Sequence, residues 1–351
     1  MFKFLSGAFI RTSQRLAVIL LAVFVVILGS VSAQASDVVQ TIEGGTMGTS
    51  YHVKWIAKDS ETPAQIQQVK KQVDELLVVI NQAMSTYIKD SELSLFNQMP
   101  KGSEQQVSAP LYELLVKAKQ ISESSAGAYD VTVGPLINLW GFGPDKRVIK
   151  APTDAQIESV RQRVGYQYLE LLGDNRIKKT ADLYIDLSSI AKGYGVDQVA
   201  KLINDLGYSA YLVEIGGELI TKGSKPNDEP WRIAVESPTA GRVIQRIVTV
   251  NDLAVATSGD YRIYFEEDGV RYSHIIDTKT GRPIAHNLAS VTVLADNCAL
   301  ADALATAFLA MGLEKSFQYA KDNAIEAFFI SKSKQGFIET MTAGFAKRVV
   351  K

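Results

Sequence analysis

The 351-residue chain is 46% hydrophobic and 21% charged, with 25 Gly and 10 Pro, a globular composition with apolar residues enough for a substantial core. Its 37 Lys and Arg against 38 Asp and Glu give a net charge of −1, so no cationic excess is available for a nucleic-acid backbone. The single cysteine, Cys298, excludes an intramolecular disulfide and a multi-cysteine metal centre, leaving oxygen ligands or His52, His274 and His286 to hold any metal.

Residues 1–35 read apart from the fold. Lys3, Arg11 and Arg15 precede Leu16–Leu28, an unbroken apolar run, and Ala33-Gln34-Ala35 puts small residues at the two positions a signal peptidase reads. This predicts a signal peptide over 1–35, cleavage before Ser36 and an exported mature chain. The competing reading is an uncleaved anchor, since Leu16–Ala33 approaches bilayer-spanning length. No cysteine lies near the cleavage point, so a lipid-modified N-terminus is not expected.

Further on, alternation over Thr46–Ile56 predicts a strand. Ile66, Val69, Val73, Leu76, Leu77 and Ile80 recur at helical spacing after Thr62-Pro63 and predict a helix over 63–83. Helices are also expected over 110–122 and 153–164, with a Gly- and Pro-rich loop over 134–152 between them. Leu183–Leu187 reads as a short strand, 190–206 as a helix stopped by Gly207, and Tyr211–Ile215 as a strand. Several strands follow between Trp231 and Ile276, including a hairpin turning at Asp268-Gly269. A helix over 297–311 is expected, capped by Asp296. No composition break divides residues 36–351, so the fold class is mixed α/β, one catalytic unit of two intimately packed lobes.

Several chemistries are excluded. Gly-Lys never occurs, which removes a P-loop, and both Gly193-Tyr194-Gly195 and Gly141-Phe142-Gly143 lack the third glycine of a dinucleotide fingerprint. His-Glu-x-x-His and Gly-x-Ser-x-Gly are also missing.

In the helix 297–311 the only charge is Asp302, which shares one face with Thr306 opposite an apolar stripe of Leu300, Leu304, Phe308 and Met311. Alanines flank the two polar residues, so the helix is expected to be buried nearly all round. A carboxylate and a hydroxyl one turn apart offer hard oxygens to Mg²⁺. Equally, Thr306 can bond back to its own helix while Asp302 pairs with a distant Arg. The run from Asp186 through Ala191-Lys192-Gly193 opens a helix, where exposed amides and Lys192 suit a phosphate. A tightly packed strand–helix junction with a solvated lysine explains the same residues.

Eight ordered motifs then carry a resemblance. They are Gly45–Thr49, Met84–Tyr87, Gly127–Asp130 with Val133–Pro135, Asp186–Tyr194, Glu214–Gly217, Thr257–Gly259, Ser273–Asp277 with Thr280–Pro283, and Ala301–Ala303 with Thr306. Together they resemble the ApbE family, the FAD:protein FMN transferases, over about residues 44–312. The resemblance implies a periplasmic, Mg²⁺-dependent enzyme that splits FAD, joins FMN through its phosphate to a threonine hydroxyl of a partner protein and releases AMP. It implies that Asp302, Thr306 and the Ala191 carbonyl hold the metal. Met47, Tyr87, Ala128, Tyr129, Asp130 and Lys192 would line the FAD site, with His274 close to the chemistry. Each also has a plain structural reading: Met47 and Tyr87 as core, Asp130 as a turn residue, His274 as a satisfied strand histidine.

The implied acceptors are subunits of membrane redox pumps and related flavoproteins with a Ser/Thr-Gly-Ala-Thr segment, which this chain itself lacks. Either His274 or a carboxylate can take the proton from the acceptor threonine. Two other functions use most of the same motifs: FAD hydrolysis to free FMN and AMP, and non-enzymatic storage of FAD.

Overall fold

A β-hairpin opens the described chain in the computed structural model. β1 (Val38–Thr46) and β2 (Thr49–Ala57) turn at Met47 and Gly48, with positive φ values of 50° and 72°. The strand expected over 46–56 is therefore the second arm of a hairpin. The structure describes residues 37–57, 61–144, 150–239, 241 and 243–350, and the signal-peptide reading of 1–35 lies outside them.

Helix α1 (Pro63–Met84) starts as expected, with Thr62 and Gln65 capping one another reciprocally and Pro63 in the first turn. Then come α2 (Glu92–Gln98), β3 (Glu104–Gln106) and α3 (Ala109–Ser124). The loop expected over 134–152 instead begins with α4 (Gly134–Leu139). Pro135 fits its first turn, and the following Trp140 is buried with its Nε1 donating to Gly281 O at 2.8 Å. After α5 (Asp154–Arg161), β4 (Leu169–Gly173) and β5 (Arg176–Lys179) form a small sheet with β3.

Leu183–Leu187 is a correction: the segment is not a strand and joins no sheet. Its pairing comes from a side chain, because Asn97 Nδ2 donates to Ile185 O and Ile185 N donates to Asn97 Oδ1, both at 2.8 Å. Asp186 N donates to Val131 O at 2.7 Å. Helix α6 (Ala191–Asp205) follows, then β6 (Tyr211–Ile215) and β7 (Glu218–Lys222). β8 (Trp231–Glu236) pairs with β9 (Ile244–Val250), ahead of β10 (Ala254–Gly259). The expected hairpin is present as β11 (Tyr264–Glu267) and β12 (Val270–Ser273), with positive φ at both Asp268 and Gly269. The short β13 (Ile276–Asp277) and β14 (Arg282–Pro283) lead to β15 (Leu288–Ala295) and α7 (Cys298–Met311). Asn297, not Asp296, caps α7, accepting the Leu300 amide at 3.0 Å. The chain closes with α8 (Leu313–Asp322), β16 (Glu326–Ser333), β17 (Gly336–Met341) and α9 (Ala343–Ala346).

The main sheet runs β1-β2-β6-β7-β10-β15-β16-β17, antiparallel at every pairing from β2 onward. Successive side chains alternate between two cores. Val291, Val293 and Phe329 join the larger core with α1, α3, α6 and α7. Val255, Leu294, Phe328 and Ile330 face a second core built from Val235, Val248 and Val250 of β8–β9 and Phe345 of α9. β15 is buried on both faces and is apolar apart from Ser290 and Thr292. Mixed α/β architecture is thus as expected, and residues 39–57 and 61–351 form one compact unit.

Candidate active site

Helices α6 and α7 cross so closely that a methyl group at Gly193 would lie 2.3 Å from Cys298 O. That approach lets the Gly193 amide donate to Asp302 Oδ2 at 3.1 Å. In return, Asp197 of α6 caps the start of α7, its carboxylate accepting from Cys298 N at 2.7 Å and Ala299 N at 3.0 Å. Two carboxylates, each on one helix and bonded to amides of the other, lock the pair in register.

Asp302 is 3% exposed, as the alanine-rich pattern of α7 suggested. Neither plain structural account of its face holds. Thr306 Oγ1 bonds to Ser258 Oγ of β10 at 3.0 Å, and the cation acting on Asp302 is Lys192, not an arginine. Burial pushes the Asp302 carboxyl above the usual carboxylate range, while Lys192 and the Gly193 amide pull it back.

Lys192 Nζ also pairs with Glu218 at 2.6 Å. Glu218, the first residue of β7, is 3% exposed, and its Oε2 has no hydrogen-bond partner. Burial pushes its carboxyl up to about 7, against the pull of Lys192. Both carboxylates raise the lysine above its ordinary value despite the desolvation that opposes it.

These groups line a cavity of about 480 Å³ together with Tyr87, Ala128, Tyr129, Asp130, His274 and Thr306. This is the size of a small-molecule site. Tyr87 is 67% exposed at the wall and is not core. Tyr129 is buried, its hydroxyl accepting from Ser189 Oγ at 3.1 Å. Asp130 uses both oxygens on the protein: Thr132 N at 2.8 Å and Thr132 Oγ1 at 2.7 Å on one, Tyr166 N at 2.8 Å on the other. Its carboxylate therefore holds the wall's backbone, in keeping with the turn reading, while the residue still lines the cavity.

His274 is half-buried, and burial holds its ring below the usual histidine value. Its Nδ1 lies 3.1 Å from Ile263 O. A carbonyl only accepts, so Nδ1 carries the proton and the neutral ring keeps Nε2 as its acceptor nitrogen.

Two of the expected residues do not line the cavity. Met47 sits in the β1–β2 turn, packed on the main core and against Gly195, where a methyl group would come within 3.0 Å of Met47 Cε. Ala191 offers only its backbone, between the cavity residues Ser189 and Lys192. Sequence reasoning missed Glu218, a lone acid after Gly216-Gly217 whose burial depends on strand packing, and gave Ser258 no role.

Mg²⁺ is the metal to test against these donors. Among the described residues no cluster of three His, Cys, Asp or Glu side chains is placed to hold a metal ion. Mg²⁺ needs no such cluster, since one or two carboxylates plus substrate phosphates are its usual ligands. The donors at hand are hard oxygens, and burial raises both the Asp302 and Glu218 carboxyls despite Lys192, so a dication beside them would stabilise their ionised forms.

Comparison with known proteins matches residues 47–329 to the ApbE family model. The FAD:protein FMN transferase of Vibrio cholerae is 45% identical over 309 residues, 87% of this chain and 91% of the relative. The enzyme of that name from Haemophilus influenzae is 42% identical over 328 residues, 91% of this chain and 94% of the relative. Among solved structures, the flavin transferase ApbE of Vibrio cholerae superposes with a TM-score of 0.82 at 43% identity, covering 89% of this chain and 99% of that one. The apo flavinyl transferase ApbE of Pseudomonas stutzeri gives 0.82 at 42% identity, covering 89% and 97%.

Proposed function

The chain belongs to the ApbE family and is a flavin transferase, and we propose that it moves FMN from FAD to a threonine hydroxyl of an acceptor protein, releasing AMP. The observation that carries this reading is the convergence of Lys192, His274, Asp302 and Thr306, from distant parts of the chain, on one cavity.

In this reading the cavity takes FAD, with Tyr87 as an exposed aromatic for ring stacking and Ala128, Tyr129 and Asp130 shaping the wall. Lys192 holds the pyrophosphate, while the Ala191, Gly193 and Tyr194 amides at the start of α6 are taken up by Leu187 O, Asp302 and Ile190 O. Asp302 and Thr306, with the Ala191 carbonyl, would hold Mg²⁺, which when bound offsets charge on the phosphates. His274 Nε2 accepts the proton of the threonine hydroxyl as its oxygen attacks the flavin-side phosphorus. The bond to the AMP phosphate breaks, and AMP leaves with that electron pair. No covalent enzyme intermediate is needed, so catalysis rests on alignment and charge.

Acceptors are flavoproteins bearing a Ser/Thr-Gly-Ala-Thr segment, including subunits of membrane redox pumps. Reaction occurs in the periplasm after export through the residue 1–35 segment and cleavage before Ser36. The test is incubation with FAD, Mg²⁺ and a purified acceptor of this kind, followed by denaturing electrophoresis. Flavin fluorescence on the acceptor band is expected. FMN and AMP with a dark acceptor would mean FAD hydrolysis instead, and intact FAD would mean storage.

A further inference from the structure

Strands β8 and β9 form a two-stranded sheet whose edges are treated differently. The β9 edge is covered by the C-terminal segment: Thr249 N donates to Arg348 O at 2.9 Å, Val350 N to Ile247 O at 2.8 Å, and Val248 bridges Val349. Thr249 and Ile247 thus point their backbone groups away from β8. Their cross-strand partners are Arg232 and Ala234. Antiparallel register then dictates that Arg232 and Ala234 aim their amides and carbonyls away from β9, onto the outer edge of β8.

Among the described residues nothing bonds to those outward groups, and both residues are exposed. An open edge is a pairing template that folds normally cover. This one leads to the candidate site, because Ala234 and Glu236 line the cavity that holds Lys192, Asp302 and His274. Ile263, 52% exposed, lines the same cavity.

We propose that the outer edge of β8 is the docking strand for the acceptor protein. A segment of the acceptor lies extended along β8, bonds through its backbone to Arg232 and Ala234, and continues past Glu236 to deliver its hydroxyl into the cavity. β-Strand addition of this kind draws its affinity from main-chain bonds. From Arg232 to Glu236 a strand rises about 13 Å, enough to hold several acceptor residues in register before the site. The inference rests on the transferase reading above.

Two measurements with a purified acceptor domain carrying a Ser-Gly-Ala-Thr segment test it. Arg232→Pro removes one outward amide at an edge position where proline is tolerated, and Arg232 does not line the cavity. KM for the acceptor should rise at least tenfold while kcat at saturating acceptor falls less than threefold. An unchanged KM, or a loss confined to kcat, would overturn the docking strand. Hydrogen exchange on the unmutated chain removes any question of folding. Adding FAD and an acceptor whose modified threonine is replaced by alanine should slow exchange across 231–236 at least tenfold. Protection elsewhere only, or protection of 231–236 that rises with enzyme concentration in the absence of acceptor, refutes it. If the unmutated chain transfers no FMN to the acceptor, the transferase reading fails and the docking strand with it.

Discussion

Replacing Gly193 by alanine probes the α6–α7 contact on which the site depends. The added methyl would lie 2.3 Å from Cys298 O, 2.6 Å from Cys298 C and 2.8 Å from Ala299 Cα, all backbone atoms that no rotamer change can move. Ordinary contact starts at 3.4 Å, so the helices must part locally by about 1.1 Å. The 3.1 Å bond from Gly193 N to Asp302 Oδ2 does not survive that separation, and the Asp197 bonds to Cys298 and Ala299 stretch with it. Overpacking costs about 1–3 kcal/mol, and losing a donor to a buried carboxylate about 1.5–3 kcal/mol more. The total, about 2.5–6 kcal/mol, is a large share of a typical folding stability. At the specific unfolding entropy of globular proteins it lowers the melting temperature by about 4–9 °C. Displacing Asp302 by about 1 Å relative to Lys192 should also cut kcat/KM for transfer by about 100-fold in the folded fraction. Calorimetry and in-gel flavin transfer, run on the same preparation, check both numbers. Wild-type melting and turnover together would refute the argument, since the backbone cannot both stay in contact and admit the methyl group.

Asp302→Asn keeps the size of the side chain but removes its charge, and should abolish both transfer and any Mg²⁺-dependent rise in melting temperature; a normal Mg²⁺ shift with normal turnover removes Asp302 from the site. Thr306→Val should act the same way more weakly, because a neutral hydroxyl contributes less to a dication. Burial lowers the His274 pKa below its ordinary 6.5, so the ring is neutral and able to accept a proton at and above that pH. The acid limb of kcat/KM should accordingly lie below pH 6.5 and vanish in His274→Asn; a limb near pH 7 that persists in the variant assigns proton acceptance to Glu218, whose carboxyl is pushed up to about 7. Asn97→Ala strands the Ile185 amide and carbonyl and should destabilise the chain by about 2–5 kcal/mol in denaturant titration, whereas a change under about 0.5 kcal/mol would show that water replaces the amide. N-terminal sequencing of protein from the periplasm should start at Ser36, and an intact Met1 in the membrane fraction contradicts export with cleavage.

Helix α7 was legible because its signals are local: a long apolar run, one charge, and a hydroxyl one turn later. The same is true of α1, where Thr62, Pro63 and Gln65 announce the start and period 3.6 sets the buried face. Leu183–Leu187 was misread because its alternation satisfies the strand pattern while its pairing comes from Asn97, a side chain 88 positions away. β1 escaped notice because only Ile42 and Thr46 of it are buried and Gly44-Gly45 interrupts it, so its partner β2 carries the visible alternation. Lys192 was visible as a cation at a helix start. Glu218, which orients it, was not, since a single acid after two glycines becomes buried only once β7 packs beside β10 and α7. The motifs name residues that the fold brings to one cavity, among them Asp130, Lys192 and Asp302, but not that the Asp130 oxygens are already taken by backbone amides and a neighbouring hydroxyl.

Intact-mass measurement of an acceptor domain after incubation with this chain, FAD and Mg²⁺ tests the central claim most directly. The account predicts a gain of one FMN less one water, mapped by peptide fragmentation to the threonine of the Ser/Thr-Gly-Ala-Thr segment, with one AMP released per acceptor modified. An acceptor of unchanged mass while FAD is consumed to FMN and AMP would contradict it.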